Sequence, residues 1–205
     1  MCRIALADVH VMDELSRLQY TRFPTNLTRA LLRAKNCTEP YLSLGFSMLH
    51  STTINLKQRE LIILRISSIS NCAYERMQHF PLAKVAGWTD TEISGIESGT
   101  GEMLDEPSKA LLAFVDECAS KVRVSNETYG ALAKFCSEEQ ITHATLLIGF
   151  FMMTARFIET LEVDLDDASY HVQTNADSLS PSGQVKIEHL GASSMGPCPI
   201  DFGRN

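Results

Sequence analysis

The segment Leu56–Ser70, LKQRELIILRISSIS, decides the fold of this 205-residue chain. Its apolar residues cover almost the whole circumference of a helix, which is typical of a helix buried in a core rather than half exposed. Asn55 precedes it and Gln58 follows the cap, so a capping box is predicted at its start. The segment therefore predicts a central helix around which the other elements pack.

Helix signals continue on both sides of this segment, and no stretch shows the alternation of a strand. Asn71–Gly87 is predicted to be a helix in which Pro81 removes a hydrogen bond or causes a kink. A capping box begins at Thr89. Further helices are predicted over residues 11–20, 27–34, 107–122, 127–135 and, after a capping box at Ser137, to about residue 162. The predicted fold class is all-α.

The character of the chain changes after His171. Residues 172–205 are rich in Ser, Gly, Pro and Asn and have no helical period, which predicts a flexible, disordered or loosely docked tail. The predicted organisation is one helical domain over residues 1–171 and a polar tail over residues 172–205.

The net charge of −7 argues against a nucleic-acid partner, because an acidic protein repels phosphate backbones. The longest apolar run, Leu146–Met153, is too short to span a bilayer, and Met1–Asp13 lacks the apolar stretch of a signal peptide. We therefore expect a cytoplasmic protein without a membrane partner. The six cysteines are scattered and are expected to be reduced thiols; no spacing matches a structural zinc site, and no metal is predicted.

Three polar residues carry the strongest functional signal. Cys72, Glu75 and His79 are spaced three and then four apart, so they share one face of the predicted helix. If that face points inward, Glu75 and His79 must satisfy each other or a third group, and the pair becomes a plausible proton-transfer device. The structural alternative is an ordinary solvated pair one turn apart.

Charged residues also occur in apolar surroundings. Glu60 and Arg65 lie in the central helix, and Arg156 lies in the long last helix. Each either fixes helix packing through an ion pair or contributes to substrate binding. Arg59 and Arg76 are expected to be exposed. Cys72 is either an inert buried thiol or, near a helix N-terminus, a reactive one.

The segments LKQRELIILRISS, NCAYERMQHFPLAKVAGWT and TDTEISGIESG, in this order, resemble the core of the carboxymuconolactone decarboxylase / alkylhydroperoxidase D-like family. AFVDECASKVRVSNETYGAL and LLIGFFMMTARFIETLEVDLDD resemble its later helices, so the resemblance covers most of residues 20–168. It implies an alkylhydroperoxidase D-like helical bundle with a two-helix hairpin around the site. It also implies a homo-oligomer, a trimer or hexamer, with sites near the subunit contacts.

The two branches of this family differ at one helical turn. In the peroxidase branch, Cys72 matches the first cysteine of a CxxC pair, His79 the histidine and Glu60 the upstream glutamate. Glu75 stands where the second cysteine would be, so the resolving thiol of a dithiol relay is absent. In the decarboxylase branch Glu75 and His79 match, while Arg76 replaces a frequent tryptophan.

The resemblance implies a cofactor-free decarboxylase-type lyase acting on a small unsaturated lactone or an aromatic or polyketide-like acid. His79 and Glu75 are the predicted catalytic residues. The predicted supporting or substrate-binding residues are Glu60, Cys72, Arg65 and Arg156. Two alternatives stay open: a thiol-based peroxidase-like or redox protein that uses Cys72, and a non-catalytic oligomeric binding protein.

Overall fold

The structure is a computed structural model and describes residues 2–50 and 53–166. Within these residues every regular element is helical, and the all-α prediction is confirmed. The α-helices are α1 Glu14–Arg22, α2 Asn26–Leu31, α3 Lys35–His50, α4 Leu56–Ile69, α5 Ala73–Val85, α6 Asp90–Ser98, α7 Glu106–Lys121, α8 Asn126–Leu132 and α9 Glu138–Leu161. The predicted boundary at residue 171 and the predicted tail, 172–205, lie outside the described residues.

Helix α4 is the centre of the bundle. The predicted capping box is present. The Asn55 side chain accepts a hydrogen bond from the backbone N–H of Gln58, and the Gln58 side chain accepts one from the backbone N–H of Asn55. The helix packs against α5, α6, α7 and α9. Its residues Leu61, Ile62, Ile63, Leu64 and Ile66 are all 0% exposed. Burial on every side explains why the apolar residues run all round the helix.

Helix α5 follows α4 after a short turn and lies against it. Cys72 is its N-cap, and Pro81 lies inside the helix, which continues to Val85. Pro81 therefore removes one amide donor without ending the helix. Gly87, with a φ of 92°, turns the chain into the left-handed region after the helix, a conformation that suits glycine.

Helix α9 spans 24 residues and opens with the predicted capping box at Ser137. It packs against α3, α4 and α7. By length and composition it is apolar enough to cross a membrane, although 44% of its most apolar window is buried inside the bundle. The unbroken apolar run Leu146–Met153 is too short to span a bilayer, whereas the complete helix is long enough. As one partly buried helix it is weak evidence for a membrane segment.

Helix α3 is an element that the sequence analysis missed. The segment contains Pro40, and a proline inside a helical pattern predicts a break. In the structure the helix runs from Lys35 to His50 with Pro40 inside it. Tertiary packing favours this helix, since Thr38, Leu42 and Gly45 are buried against the rest of the bundle.

Candidate functional site

A buried carboxylate joins the two helices of the hairpin. Glu60 of α4 is 0% exposed, and its Oε2 atom lies 2.8 Å from Nδ1 of His79 on α5. Its Oε1 atom accepts a hydrogen bond of 2.8 Å from Nε of Arg59, whose guanidinium also donates to the Leu49 carbonyl. Both carboxylate oxygens are therefore occupied by nitrogen donors, as a buried charge requires.

The charge on Glu60 fixes the tautomer of His79. Burial by itself raises the pKa of Glu60, but His79 and Arg59 outweigh that effect and leave the pKa lowered. Because the carboxylate is ionised and only accepts, Nδ1 of His79 must carry the proton. Nε2 has no hydrogen-bond partner within residues 2–50 and 53–166 and is the ring atom left to meet a ligand.

Glu75 is the second buried acid. Its carboxyl is 2% exposed, and neither oxygen has a hydrogen-bond partner in the described part of the chain. Burial and, to a smaller extent, the charge of Glu159 raise its pKa to about 8. The group is therefore protonated at neutral pH, and the predicted inward orientation of Glu75 and His79 is observed. The hydrogen-bond partner of His79 is therefore not Glu75 but a third residue, Glu60.

Helix α9 forms the opposite wall of the site. The Phe151 ring meets the His79 ring edge-on with centroids 5.1 Å apart, and the Glu159 carboxyl acts on Cys72 at the other end of the face. Residue numbers along α5 and α9 therefore run in opposite directions. Glu75 lies between Cys72 and His79 on the same face of α5.

Helix α3 adds a hydroxyl group to this wall. Oη of Tyr41 lies 2.5 Å from Oγ1 of Thr154, and the Tyr41 ring lies 4.9 Å from the Phe150 ring. Phe150 in turn meets Phe151 edge-on at 5.6 Å. Burial and the charge of Glu75 raise the pKa of Tyr41, which the hydrogen bond to Thr154 lowers only in part. Tyr41 is therefore a neutral phenol beside the acids.

Cys72 lies at the N-terminal end of α5 but is not activated there. It is 1% exposed. Burial raises its pKa to about 12, and the charges of Glu75 and Glu159 act in the same direction against the hydrogen bond from the Glu75 backbone. The expected favouring of the thiolate by a helix N-terminus is thus outweighed. The thiol stays protonated at neutral pH.

Two arginines predicted as substrate ligands lie elsewhere. Arg65 donates a 2.5 Å hydrogen bond to Asp116 and a 2.6 Å bond to the Glu97 carbonyl, so its guanidinium joins α4 to α6 and α7. Arg156 is exposed and donates to the Met152 carbonyl of its own helix. The contacts of Arg65 are those of the packing alternative.

Three residues of the site were not recognised from the sequence. Arg59 was expected to be exposed, but its side chain is only 15% exposed and pairs with Glu60. Tyr41 was missed with its helix, and Thr154 lies in a run of core residues without a distinguishing pattern. The sequence signal available for Thr154 was its position one helical turn after Phe150 and Phe151, where a hydroxyl group lies among core residues.

A surface depression of about 480 Å³ lies away from these groups. It is lined by Asp90, Thr91, Ser94, Gly95, Ser98, Thr100, Glu102 and Met103. Its lining includes neither Glu75 nor His79. The described residues contain no group of three or more His, Cys, Asp or Glu side chains that could hold a metal ion.

The model of the carboxymuconolactone decarboxylase family matches residues 38–117. Over these residues the chain is similar to this family. The match includes Tyr41, Glu60, Cys72, Glu75 and His79 and ends before α8 and α9. The matched range is shorter than residues 20–168, over which the sequence motifs resemble the family.

Solved structures show that this chain has the alkylhydroperoxidase D-like fold. The alkylhydroperoxidase AhpD core of an uncharacterised peroxidase-related protein from Ralstonia eutropha JMP134 matches with a TM-score of 0.71 and 14% identity, covering 81% of this chain and 93% of that chain. A peroxidase-related protein from Silicibacter sp. TM1040 matches with a TM-score of 0.67 and 16% identity over 82% and 94%.

A third structure comes from Agrobacterium tumefaciens, a protein of unknown function considered a candidate antioxidant defence protein AhpD. It matches with a TM-score of 0.61 and 20% identity, covering 67% of this chain and 95% of that chain. None of the curated proteins compared with this chain matches it. At these identities the likeness describes the fold and leaves the chemistry to the side chains of the site.

Proposed function

We propose that this protein is a cofactor-free decarboxylase-type lyase that acts on a small unsaturated lactone or aromatic acid. The observation that carries the proposal is the Glu75 carboxyl, which is buried, lacks a hydrogen-bond partner among the described residues and has a pKa of about 8. A neutral carboxyl group in a dry site is an acid ready to donate a proton at neutral pH.

The surroundings of Glu75 favour loss of carbon dioxide. The charge that acts on Glu75 is that of another carboxylate, Glu159, and Arg65 and Arg156 are engaged elsewhere. A substrate carboxylate placed beside aromatic side chains and acids is poorly solvated. Loss of carbon dioxide turns that ionic group into a neutral product, and the negative charge moves into the conjugated carbonyl.

The proposed reaction has two steps. The bond between the substrate carbon and its carboxylate breaks, carbon dioxide leaves, and the electron pair moves into the conjugated carbonyl to form an enolate beside the His79 ring. Glu75 then donates its proton to the carbon and recovers a proton from water. Glu60 is a positioning residue, because its hydrogen bond to Nδ1 holds the imidazole with Nε2 directed away from α4.

The thiol alternative has less support. A peroxidatic or redox-sensing cysteine requires an accessible thiolate, whereas Cys72 is buried with a pKa of about 12. Glu75 also occupies the position of the resolving cysteine, one turn away.

The test is carbon dioxide release from a panel of carboxylated unsaturated lactones and aromatic acids. Glu75→Gln and His79→Ala are each expected to lower turnover about a hundredfold or more. Arg76→Gln is the control, because Arg76 lies on the exposed side of the same helix. Full turnover in both site variants would remove these residues from the chemistry. Thermal stabilisation by an acid without carbon dioxide release would instead favour the non-catalytic binding protein.

We also propose that the protein is cytoplasmic and self-associates as a trimer or hexamer through the outer side of α9. Leu146 and Met153 of this helix are 53% and 47% exposed, and large apolar residues on one helix favour a protein partner. Sedimentation of Leu146→Lys and Met153→Lys variants tests this, with Leu15→Lys on α1 as the control. Unchanged assembly in both α9 variants would place the contact elsewhere.

A further inference from the structure

Tyr41 lies at the edge between solvent and the buried acids. Its side chain is partly exposed, whereas Glu75 is 2% exposed. Its ring begins a continuous row of aromatic contacts that passes through Phe150 and Phe151 to His79. Tyr41 therefore belongs to the same aromatic wall that contacts His79.

The hydrogen bonds of Thr154 fix the direction of the Tyr41 hydroxyl. Thr154 Oγ1 donates to the Phe150 carbonyl at 2.9 Å. Because a threonine hydroxyl has one hydrogen, Oγ1 must accept from Tyr41 in their 2.5 Å hydrogen bond. The Tyr41 proton is thus committed to Thr154, and its oxygen offers only acceptor lone pairs to a ligand.

Glu75 and Tyr41 therefore present opposite hydrogen-bonding characters. The protonated Glu75 carboxyl has a donor hydrogen, and the Tyr41 oxygen has none to give. They are close enough to affect each other electrostatically, yet the Glu75 carboxyl forms no hydrogen bond to Tyr41 or to any other described residue. A group placed between them satisfies both only if it accepts from Glu75 and donates to Tyr41.

We propose that Tyr41, positioned by Thr154, is a specificity residue that selects ligands carrying a hydroxyl or enol group beside Glu75. A hydroxyl oxygen accepts and its hydrogen donates, which matches the pair. A ketone or ether oxygen only accepts, so it leaves the Tyr41 lone pairs unsatisfied. Sites built around a ligand O–H discriminate strongly against analogues without it. The inference rests on the proposed function, because it assumes that Glu75 faces the ligand.

The experiment compares the binding of para-hydroxybenzoate, para-methoxybenzoate and benzoate by calorimetry below the pKa of Glu75. The methoxy compound keeps the acceptor oxygen and loses the donor hydrogen. The wild-type protein is expected to bind the hydroxy compound about tenfold more tightly than the methoxy compound. Tyr41→Phe keeps the ring against Phe150 and is expected to abolish this preference.

Variants at Thr154 test the direction of the hydrogen bond. Thr154→Val removes the acceptor and frees the Tyr41 proton to donate to a ligand, so the preference for hydroxyl over methoxy is expected to shrink or reverse. Thr154→Ser keeps the acceptor and is expected to keep the preference. A merely structural role for Thr154 would lower the affinity for all three acids equally.

Three outcomes would overturn the inference. Equal binding of the hydroxy and methoxy compounds by the wild type, or a preference that survives Tyr41→Phe, removes Tyr41 from recognition. If Glu75→Gln still weakens binding in that case, the proposed function stands without the inference. If none of the three acids binds, both the hydroxyl selection and the aromatic-acid class of the proposed substrate are wrong.

Discussion

Nδ1 of His79 lies 2.8 Å from Oε2 of Glu60, and the other oxygen of this fully buried carboxylate lies 2.8 Å from Nε of Arg59. One side chain of the central helix thus determines the orientation of the imidazole on the next helix. The ion pair both stabilises the hairpin and orients the imidazole, so its removal is expected to affect stability and, under the proposed function, activity together.

Glu60→Gln is expected to lower the free energy of unfolding by about 3 kcal/mol, since a part-buried guanidinium loses its counter-charge. The stabilisation by Glu60 is present above the ordinary glutamate pKa and is lost in acid, because its folded-state pKa is lowered. Urea unfolding measures the change. Glu97→Gln is the matched control, because the ion-pair partner of Glu97, Arg76, is 50% exposed. This substitution is expected to lower the free energy of unfolding by less than about 1 kcal/mol. Equal losses in both variants would contradict the assignment.

Glu75 is expected to make the protein less stable as the pH rises. Between about 4.5 and 8 the carboxyl is ionised in the unfolded chain and protonated in the folded one. The folded state then binds the extra proton, and the free energy of unfolding falls by up to about 1.4 kcal/mol per pH unit. Glu75→Gln should remove this contribution and be more stable than the wild type at pH 8. Unfolding curves with the same pH dependence in both proteins would show that Glu75 titrates normally.

Cys72 is expected to react slowly with iodoacetamide at neutral pH. Its thiol is buried with a pKa of about 12, whereas Cys37 is exposed on α3. Mass spectrometry of the native protein should find Cys37 modified well before Cys72, and unfolding in urea should remove the difference. Faster modification of Cys72 than of Cys37 in the native state would restore the thiol hypothesis.

Two helical glycines provide a matched pair for testing the aromatic wall. A Cβ atom at Gly45 would lie 2.9 Å from the tip of the Phe150 ring, whereas one at Gly149 would meet nothing within 4 Å. Gly149→Ala is expected to stabilise the protein by about 1 kcal/mol through helix propensity. Gly45→Ala should lose this gain, because Phe150 is held between Tyr41 and Phe151. Equal stabilisation, measured by thermal unfolding, would mean that the ring moves freely.

The central part of the fold was predictable from local rules. The capping boxes at Asn55, Thr89 and Ser137 are all observed, because a cap depends on residues a few positions apart. Helix α3 was not predicted, since Pro40 argues locally against a helix that tertiary packing stabilises.

The site shows the same division between local and distant information. Helical spacing placed Cys72, Glu75 and His79 on one inward face. It could not identify the partner of His79, which comes from the preceding helix, or the Tyr41–Thr154 hydrogen bond, whose residues are 113 positions apart. For Arg65 the sequence left packing and substrate binding both open, because a charge in an apolar helix looks the same before its partner Asp116 is known.

Position 75 has a consequence for protein engineering. It lies one helical turn after Cys72 and one turn before His79. A cysteine at this position would therefore lie on the same face of α5 as the Cys72 thiol. Replacing this single acid by cysteine would thus place two thiols one helical turn apart, while the imidazole and its anchoring carboxylate stay in place. The scaffold would then carry both sulfur atoms that thiol–disulfide exchange requires.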